Sequence, residues 1–142
     1  MRTLLSPKMD IVFQHLFGKV GNEEITKEFI SLIIERPIQG LLLDVSNRIE
    51  REEIDDKMGL LDVRAKLETG EDFNIEMQRA EYPDVCQRLL YYWSRLYGRK
   101  LKKGDHYSQL TPTIGILITD YMLQETKGFA HYHTVWNLRE RK

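Results

Sequence analysis

Asp62 and Glu76 are the acidic residues best placed to take part in a reaction, and each lies in a segment typical of a β-strand. In FNIEMQ, apolar and polar residues alternate, so Glu76 shares one strand face with Asn74 and Gln78. In LLDVRAKL, the same alternation puts Asp62 on the polar face. Two carboxylates on neighbouring strands are the oxygen ligands that a hard cation such as Mg²⁺ prefers. The spacing therefore favours a metal-dependent site.

The four residues ETGE between these two segments predict a hairpin turn. With Thr69 and Gly70 at its centre, paired residues have numbers that sum to about 139, which sets Asp62 opposite residues 76–78. Neighbouring side chains on one face are then about 5–8 Å apart, and facing carboxylates repel each other unless a cation lies between them. The alternative is a polar strand face without a role, on which Arg64 pairs with Glu76.

A helix is predicted over residues 84–103, with an apolar stripe that includes Leu89 and Trp93. Basic and aromatic residues recur at helical intervals on the opposite side: Arg88, Tyr91 or Tyr92, Arg95, Arg99 and Lys102. Such a row could follow a phosphate backbone, with tyrosine giving hydroxyl or stacking contacts. The alternative is an ordinary solvated basic face.

The remaining segments predict how these residues are positioned. Two helices come first, one in KMDIVFQHLFG and one from about Asn22 to Glu35. A first strand in GLLLDVS ends near Ser46, the hairpin supplies two strands, and TIGILIT and GFAHYHTVWNL predict the last two. This order predicts an α/β sandwich with a central mixed sheet flanked by helices.

The composition fits one compact domain of 142 residues, 42% apolar and 30% charged. The net charge of -1 argues against a protein that coats nucleic acid through bulk charge. Cys86 is the single cysteine, which excludes an internal disulfide, and His131 and His133 lack a clear third metal ligand. No apolar stretch approaches the roughly 20 residues that span a bilayer. A cytoplasmic protein without a membrane partner is therefore expected.

Four blocks, in this order, resemble one known family: KMDIVFQHLFG, LLDVRA, NIEMQ and RLLYYWSRLYGRKLKKGDHY. They are similar to the recombination-promoting nuclease and transposase-like group of the PD-(D/E)XK nuclease superfamily. The resemblance implies a restriction-endonuclease-like αβ sandwich and Mg²⁺-dependent cleavage of DNA, with Mn²⁺ as an alternative cofactor. DNA is the implied partner, and a homodimer is a possible assembly because many nucleases of the superfamily cut as dimers.

The resemblance also implies roles for individual residues. Asp62 matches the acid of the second core strand and Glu76 the acid of the E-x-K element, both metal ligands, with the Met77 backbone carbonyl as a further expected ligand. Gln78 stands where the superfamily usually has lysine, a substitution that this group shares, but an amide cannot supply lysine's positive charge. Asp10 matches an early acidic position of the group. Members usually continue beyond HYHTVWNL, so the chain is expected to be a single, truncated nuclease core.

Three functions follow from these observations. The first is a Mg²⁺-dependent DNA endonuclease associated with recombination or transposition. The second is a catalytically weak or inactive remnant of a mobile-element nuclease that binds DNA or regulates. The third is a protein interaction module that keeps the fold without the chemistry.

Overall fold

A four-stranded mixed sheet is the centre of the part of the chain that the computed structural model describes, residues 4–44 and 63–138. The strands are β1 (Leu41–Leu43), β2 (Val63–Leu67), β3 (Asp72–Gln78) and β4 (Thr113–Thr119), adjacent in that order. The pairs β1–β2 and β2–β3 are antiparallel, whereas β3–β4 is parallel. The predicted α/β fold with a mixed sheet is confirmed.

Two helices cover the apolar face of this sheet, α1 (Asp10–Phe17) and α2 (Glu23–Ile33). Phe13 and Ile30 belong to the same buried cluster as Phe73 and Ile75 of β3. These four side chains are at most 3% exposed, so they form a core that excludes water from one face of β3. The predicted parity of the strand, with Phe73 and Ile75 facing the core, is confirmed.

The third helix, α3 (Val85–Gly98), lies against the other face of the sheet. Its Trp93 Nε1 donates a hydrogen bond of 2.8 Å to the Thr113 carbonyl of β4. Gly115, which is paired with Asn74, permits this close approach, because a Cβ there would lie 3.3 Å from Leu89 Cδ1. The sheet is therefore enclosed between α1 and α2 on one side and α3 on the other.

The predicted hairpin between β2 and β3 is confirmed. The Gly70 amide donates to the Leu67 carbonyl, and Gly70 has a φ of 91°, a left-handed conformation that favours glycine. Val63 is paired with Ile75 and Arg64 with Asn74, so paired numbers sum to 138. Because directly opposed residues share a face, this register keeps the apolar and polar sets of both strands together.

The predicted last strand, residues 128–138, is wrong. Between β4 and residue 138 the structure has one short 3₁₀ turn, Gln124–Thr126, and no strand. Tyr132 and Trp136 are exposed. An alternating pattern forms a strand only where a neighbouring strand accepts its backbone hydrogen bonds, and none of the described strands pairs with this segment.

Other predicted boundaries differ less. The helix predicted to reach Lys103 ends at Gly98, after which the Lys100 ammonium turns back to the Thr111 and Pro112 carbonyls. The predicted end of the first strand near Ser46 lies outside the described residues. In the described ranges, no helix is both long and apolar enough to cross a bilayer.

We expect Gly70→Ala to lower the free energy of unfolding by about 1–2 kcal/mol, the cost of a left-handed conformation for a residue with a Cβ. The added Cβ would also lie 2.9 Å from Thr111 Cγ2. Gly98→Ala is the matched control, because its Cβ would meet nothing within 4 Å and alanine favours the helix. Urea unfolding of both variants measures the difference. Equal stability of the two variants would contradict the requirement for glycine in this turn.

Candidate active site

The polar residues of β3 are buried, not solvated. Asn74, Glu76 and Gln78 are 4%, 0% and 8% exposed, although they lie on the face opposite the apolar core. Helix α3 lies over part of this face, where Arg88 reaches Glu76 and Leu89 lies over Gly115, the partner of Asn74. A buried row of polar side chains is costly unless its members are hydrogen-bonded or charge-balanced. The two ordinary explanations of a polar strand, solubility and a half-exposed edge, therefore do not apply here.

Glu76 is held by two neighbours on this face. The Asn74 side-chain amide donates a hydrogen bond of 3.1 Å to Glu76 Oε1. The Arg88 guanidinium of α3 approaches Oε2, with 3.7 Å between Nη2 and the carboxylate oxygen. One neighbour thus orients the carboxylate, and the other balances its charge.

Arg88 points into the protein rather than to solvent. Its side chain is 13% exposed, and its guanidinium carbon lies 5.4 Å from the centre of the Tyr82 ring. Tyr121 is also close to this charge. Burial raises the pKa of the Tyr121 phenol, while the Tyr82 backbone and the Arg88 charge oppose that rise. Tyr121 is therefore a neutral neighbour at physiological pH and brings no second negative charge to Arg88.

Gln78 ends β3 at the same end of the sheet as the start of α1. The Gln78 carbonyl accepts a hydrogen bond of 3.0 Å from the Asp120 amide, just after β4. Asp120 in turn forms an ion pair with Lys8, two residues before Asp10. The structure thus brings the first turn of α1, which contains Asp10, to the end of the sheet where Gln78 lies. Asp10 itself is exposed.

Opposite charges also meet at the other end of the polar face. Lys100 Nζ lies 2.6 Å from Asp72 Oδ2 and also donates to the Thr111 and Pro112 carbonyls. Both charged side chains are mostly buried, 12% exposed for Lys100 and 19% for Asp72. Arg88 on α3 and Lys100 just after it therefore balance two acids of β3, Glu76 and Asp72.

The five residues predicted to contact nucleic acid do not share one surface: four are exposed, and Arg88 points into the protein. Tyr91, Arg95, Arg99 and Lys102 are exposed, and Arg95 Nη1 donates a hydrogen bond of 3.1 Å to the Tyr91 hydroxyl. The Arg95 guanidinium also lies over the Tyr91 ring, 5.7 Å from its centre. Arg88 is separated from this row because it is directed to Glu76.

Of the predicted metal ligands, the structure describes Glu76 and Met77. Asp62 lies outside the described residues, and the described ranges hold no group of three or more His, Cys, Asp or Glu that could bind a metal. The Met77 side chain faces the core and is 8% exposed. The donors that are present fit a hard cation, because the Glu76 carboxylate and the Gln78 amide both offer oxygen on one buried face.

Sequence reasoning missed Asn74 as a functional residue and gave Arg88 another role. Asn74 could have been found, since it precedes Glu76 by two residues and therefore shares its strand face. No local signal distinguishes Arg88 from Arg95, because both occur at helical intervals on the polar side of one helix. The direction of Arg88 depends on where α3 crosses the sheet.

The residues that the sequence discounted are not assembled into a second site. Burial raises the pKa of the Cys86 thiol, and Glu125 raises it further through its charge and a hydrogen bond. A thiol with a raised pKa is a poor nucleophile at neutral pH. His131 is exposed, and His133 Nδ1 lies 4.0 Å from Glu35 Oε1.

Comparison with known families agrees with this architecture. A family model described as PD-(D/E)XK nuclease family transposase matches residues 7–142. The chain belongs to this family. No curated protein and no solved structure matched the chain in the corresponding searches. The mixed sheet with α3 on one face and α1 and α2 on the other is consistent with a PD-(D/E)XK restriction-endonuclease-like domain.

Membership in the PD-(D/E)XK nuclease family transposases carries general consequences for chemistry. It implies a function of the nuclease or transposase type, with DNA as the substrate class. Nucleases of this kind generally use divalent metals, which suits the buried carboxylate of Glu76.

We expect Lys100→Met to lower the free energy of unfolding by about 3–5 kcal/mol, the usual cost of leaving one partner of a buried ion pair alone. Asp72 would lose its cation, and two carbonyls would lose a donor. Lys103→Met is the matched control and should change stability by less than about 0.5 kcal/mol, because Lys103 is exposed. Thermal unfolding measures both. Equal losses for the two variants would mean that Lys100 does not fix α3 on the sheet.

Proposed function

We propose that this protein is a Mg²⁺-dependent DNA endonuclease that hydrolyses phosphodiester bonds in recombination or transposition, with Mn²⁺ able to replace Mg²⁺. The observation that carries the proposal is the Glu76 carboxylate, 0% exposed and oriented by the Asn74 amide. A buried acid held in one orientation by a hydrogen bond is typical of a metal ligand with a supporting residue behind it. Family membership supports the same chemistry.

The proposed ligands are Glu76, Asp62 and the Met77 backbone carbonyl. The hairpin register supports the pairing of the two acids, since Val63 is opposite Ile75 and one further step would set Asp62 opposite Glu76. These residues would hold a divalent cation, which would supply a water of lowered pKa and positive charge for the scissile phosphate. The protein's part is to keep the oxygen ligands fixed and dry.

Gln78 and Asp10 have proposed supporting roles. The Gln78 amide can orient the attacking water or a phosphate oxygen, because it carries both a donor and an acceptor. It cannot supply a positive charge, which leaves that task to the cation and to arginine or lysine. Asp10 belongs to a helix that starts at the same end of the sheet, and we assign it to the rim of the site.

DNA would contact the exposed side of α3. Tyr91, Arg95 and Arg99 present donors and an aromatic ring to solvent along one side of this helix, and Lys102 follows beyond its end. Phosphate contacts of this kind position a duplex without reading its sequence. The cytoplasmic location, the homodimer and the single-domain organisation remain predictions.

The first test is nicking of supercoiled plasmid DNA by the full chain. With Mg²⁺ or Mn²⁺ the protein should convert supercoiled to open-circular DNA, and EDTA should stop the reaction. Glu76→Gln and Asp62→Asn, which keep side-chain size but remove a ligand charge, should each lower the rate by about 100-fold or more. Glu28→Gln is the control, because Glu28 is an exposed acid on α2, on the other side of the sheet.

The result that would sink the endonuclease proposal is the absence of nicking with either metal, or equal nicking by Glu76→Gln and the unaltered protein. Retained DNA binding without nicking would instead favour the second function, a catalytically weak DNA-binding remnant. This second function is supported by residue 78, which is glutamine where the superfamily usually has lysine.

The second test measures the salt dependence of binding to a DNA duplex. Replacing Arg95 and Arg99 together by glutamine should weaken binding uniformly across sequences and reduce the slope of log K against log salt by about 2. Lys19→Gln removes an exposed charge after α1 and should leave the slope unchanged. An unchanged slope in the double variant would remove α3 from the DNA interface and favour the interaction-module function.

A further inference from the structure

Arg88 is an unusual arginine because it is buried without hydrogen-bond acceptors. Its Nε, Nη1 and Nη2 atoms are all inaccessible to solvent, and none has an acceptor within reach in the residues that the structure describes. Buried guanidinium groups are ordinarily paired through several hydrogen bonds, because losing water without replacing its contacts is costly. The donors of Arg88 are therefore available to a ligand.

The contact with Glu76 does not use these donors. At 3.7 Å, the separation of Nη2 and Oε2 is within the range of charge attraction but beyond that of a hydrogen bond. Glu76 has its hydrogen bond from Asn74 instead. Arg88 can consequently move relative to Glu76 without breaking a hydrogen bond between them.

Two aromatic side chains and one acid surround the Arg88 guanidinium. Tyr82 offers the face of its ring to the guanidinium, and Tyr121 is a phenol whose pKa is raised by burial. Both neighbours are neutral at physiological pH. Gln78 follows Glu76 by two residues on the same strand face and carries no charge, whereas Arg88 places a positive charge against Glu76, the central acid of β3.

We propose that Arg88 is a catalytic residue that supplies the positive charge Gln78 lacks. In the metal-free protein it balances the buried Glu76 carboxylate. When Glu76 instead ligates a divalent cation, the Arg88 N–H groups donate to a non-bridging oxygen of the scissile phosphate. Arg88 thus keeps its positive charge at the site in both the metal-free and the metal-bound protein. This inference rests on the proposed nuclease function and adds a named residue to it.

The first experiment compares thermal unfolding of the full chain in EDTA and in Mn²⁺. Arg88→Gln should lower Tm in EDTA, because it leaves Glu76 without this cation. The rise in Tm on adding Mn²⁺ should be larger in Arg88→Gln than in the unaltered protein, since metal no longer competes with a guanidinium for the same carboxylate. Lys19→Gln also removes one positive charge, at an exposed position after α1, and should show the unaltered protein's Mn²⁺ shift.

Equal Mn²⁺ shifts in Arg88→Gln and the unaltered protein would overturn the role of Arg88 while leaving the nuclease proposal intact. No Mn²⁺ shift in the unaltered protein, together with no nicking, would overturn both. The two failures are therefore distinguishable.

A second variant guards against poor folding of Arg88→Gln. Arg88→Lys keeps the charge but replaces a planar fork of donors by a single ammonium, so its Tm in EDTA should stay close to that of the unaltered protein. Its kcat for nicking should fall by about tenfold or more, with KM changed by less than about threefold, the pattern of a contact made mainly in the transition state. A raised KM with unchanged kcat would overturn the assignment and return Arg88 to ordinary DNA binding.

Discussion

A carboxylate that is fully removed from water sets the main constraint on this structure. An isolated buried charge is strongly unfavourable, so a protein that keeps one must surround it with donors and opposite charge. Here the Asn74 amide gives the hydrogen bond, and the Arg88 guanidinium of α3 gives the charge. The position of α3 and the chemistry of Glu76 are therefore linked.

The two faces of β3 divide the demands of stability and function. One face carries Phe73 and Ile75 into a core with α1 and α2, where burial of apolar surface stabilises the fold. The other carries Asn74 and Glu76 beneath α3, where apolar contacts alone would not satisfy the polar groups. Because a strand alternates its side chains, the same backbone that is fixed by the core also fixes the carboxylate. A site that depends on orientation benefits from this rigidity.

Helix α3 has a corresponding division. Leu89 and Trp93 pack on β4 over Gly115, while Arg88 and Lys100 reach acids of β3 from near its two ends. The exposed side retains Tyr91 and Arg95, in contact with each other. Helix α3 and the residues just after it thus cover one face of the sheet, balance two of its acids and present a basic surface. Arg88 and Arg95 look alike in the sequence, but Arg88 lies against Glu76 and Arg95 is exposed to solvent. These different surroundings decide what each arginine can bind.

The sequence by itself determined the local features: the hairpin, the parity of both its strands and the identity of Glu76 as the central acid. These follow from alternation and from turn residues close together in the chain. Asp62 could be named only as a prediction, since it lies outside the described residues. The strand predicted for residues 128–138 was wrong. A strand also requires a neighbouring strand to pair with, and an alternating sequence does not provide one. Tertiary structure alone decided that the polar face is buried and that Arg88 faces Glu76, because the direction in which α3 crosses the sheet depends on packing against β4 and not on the local sequence pattern.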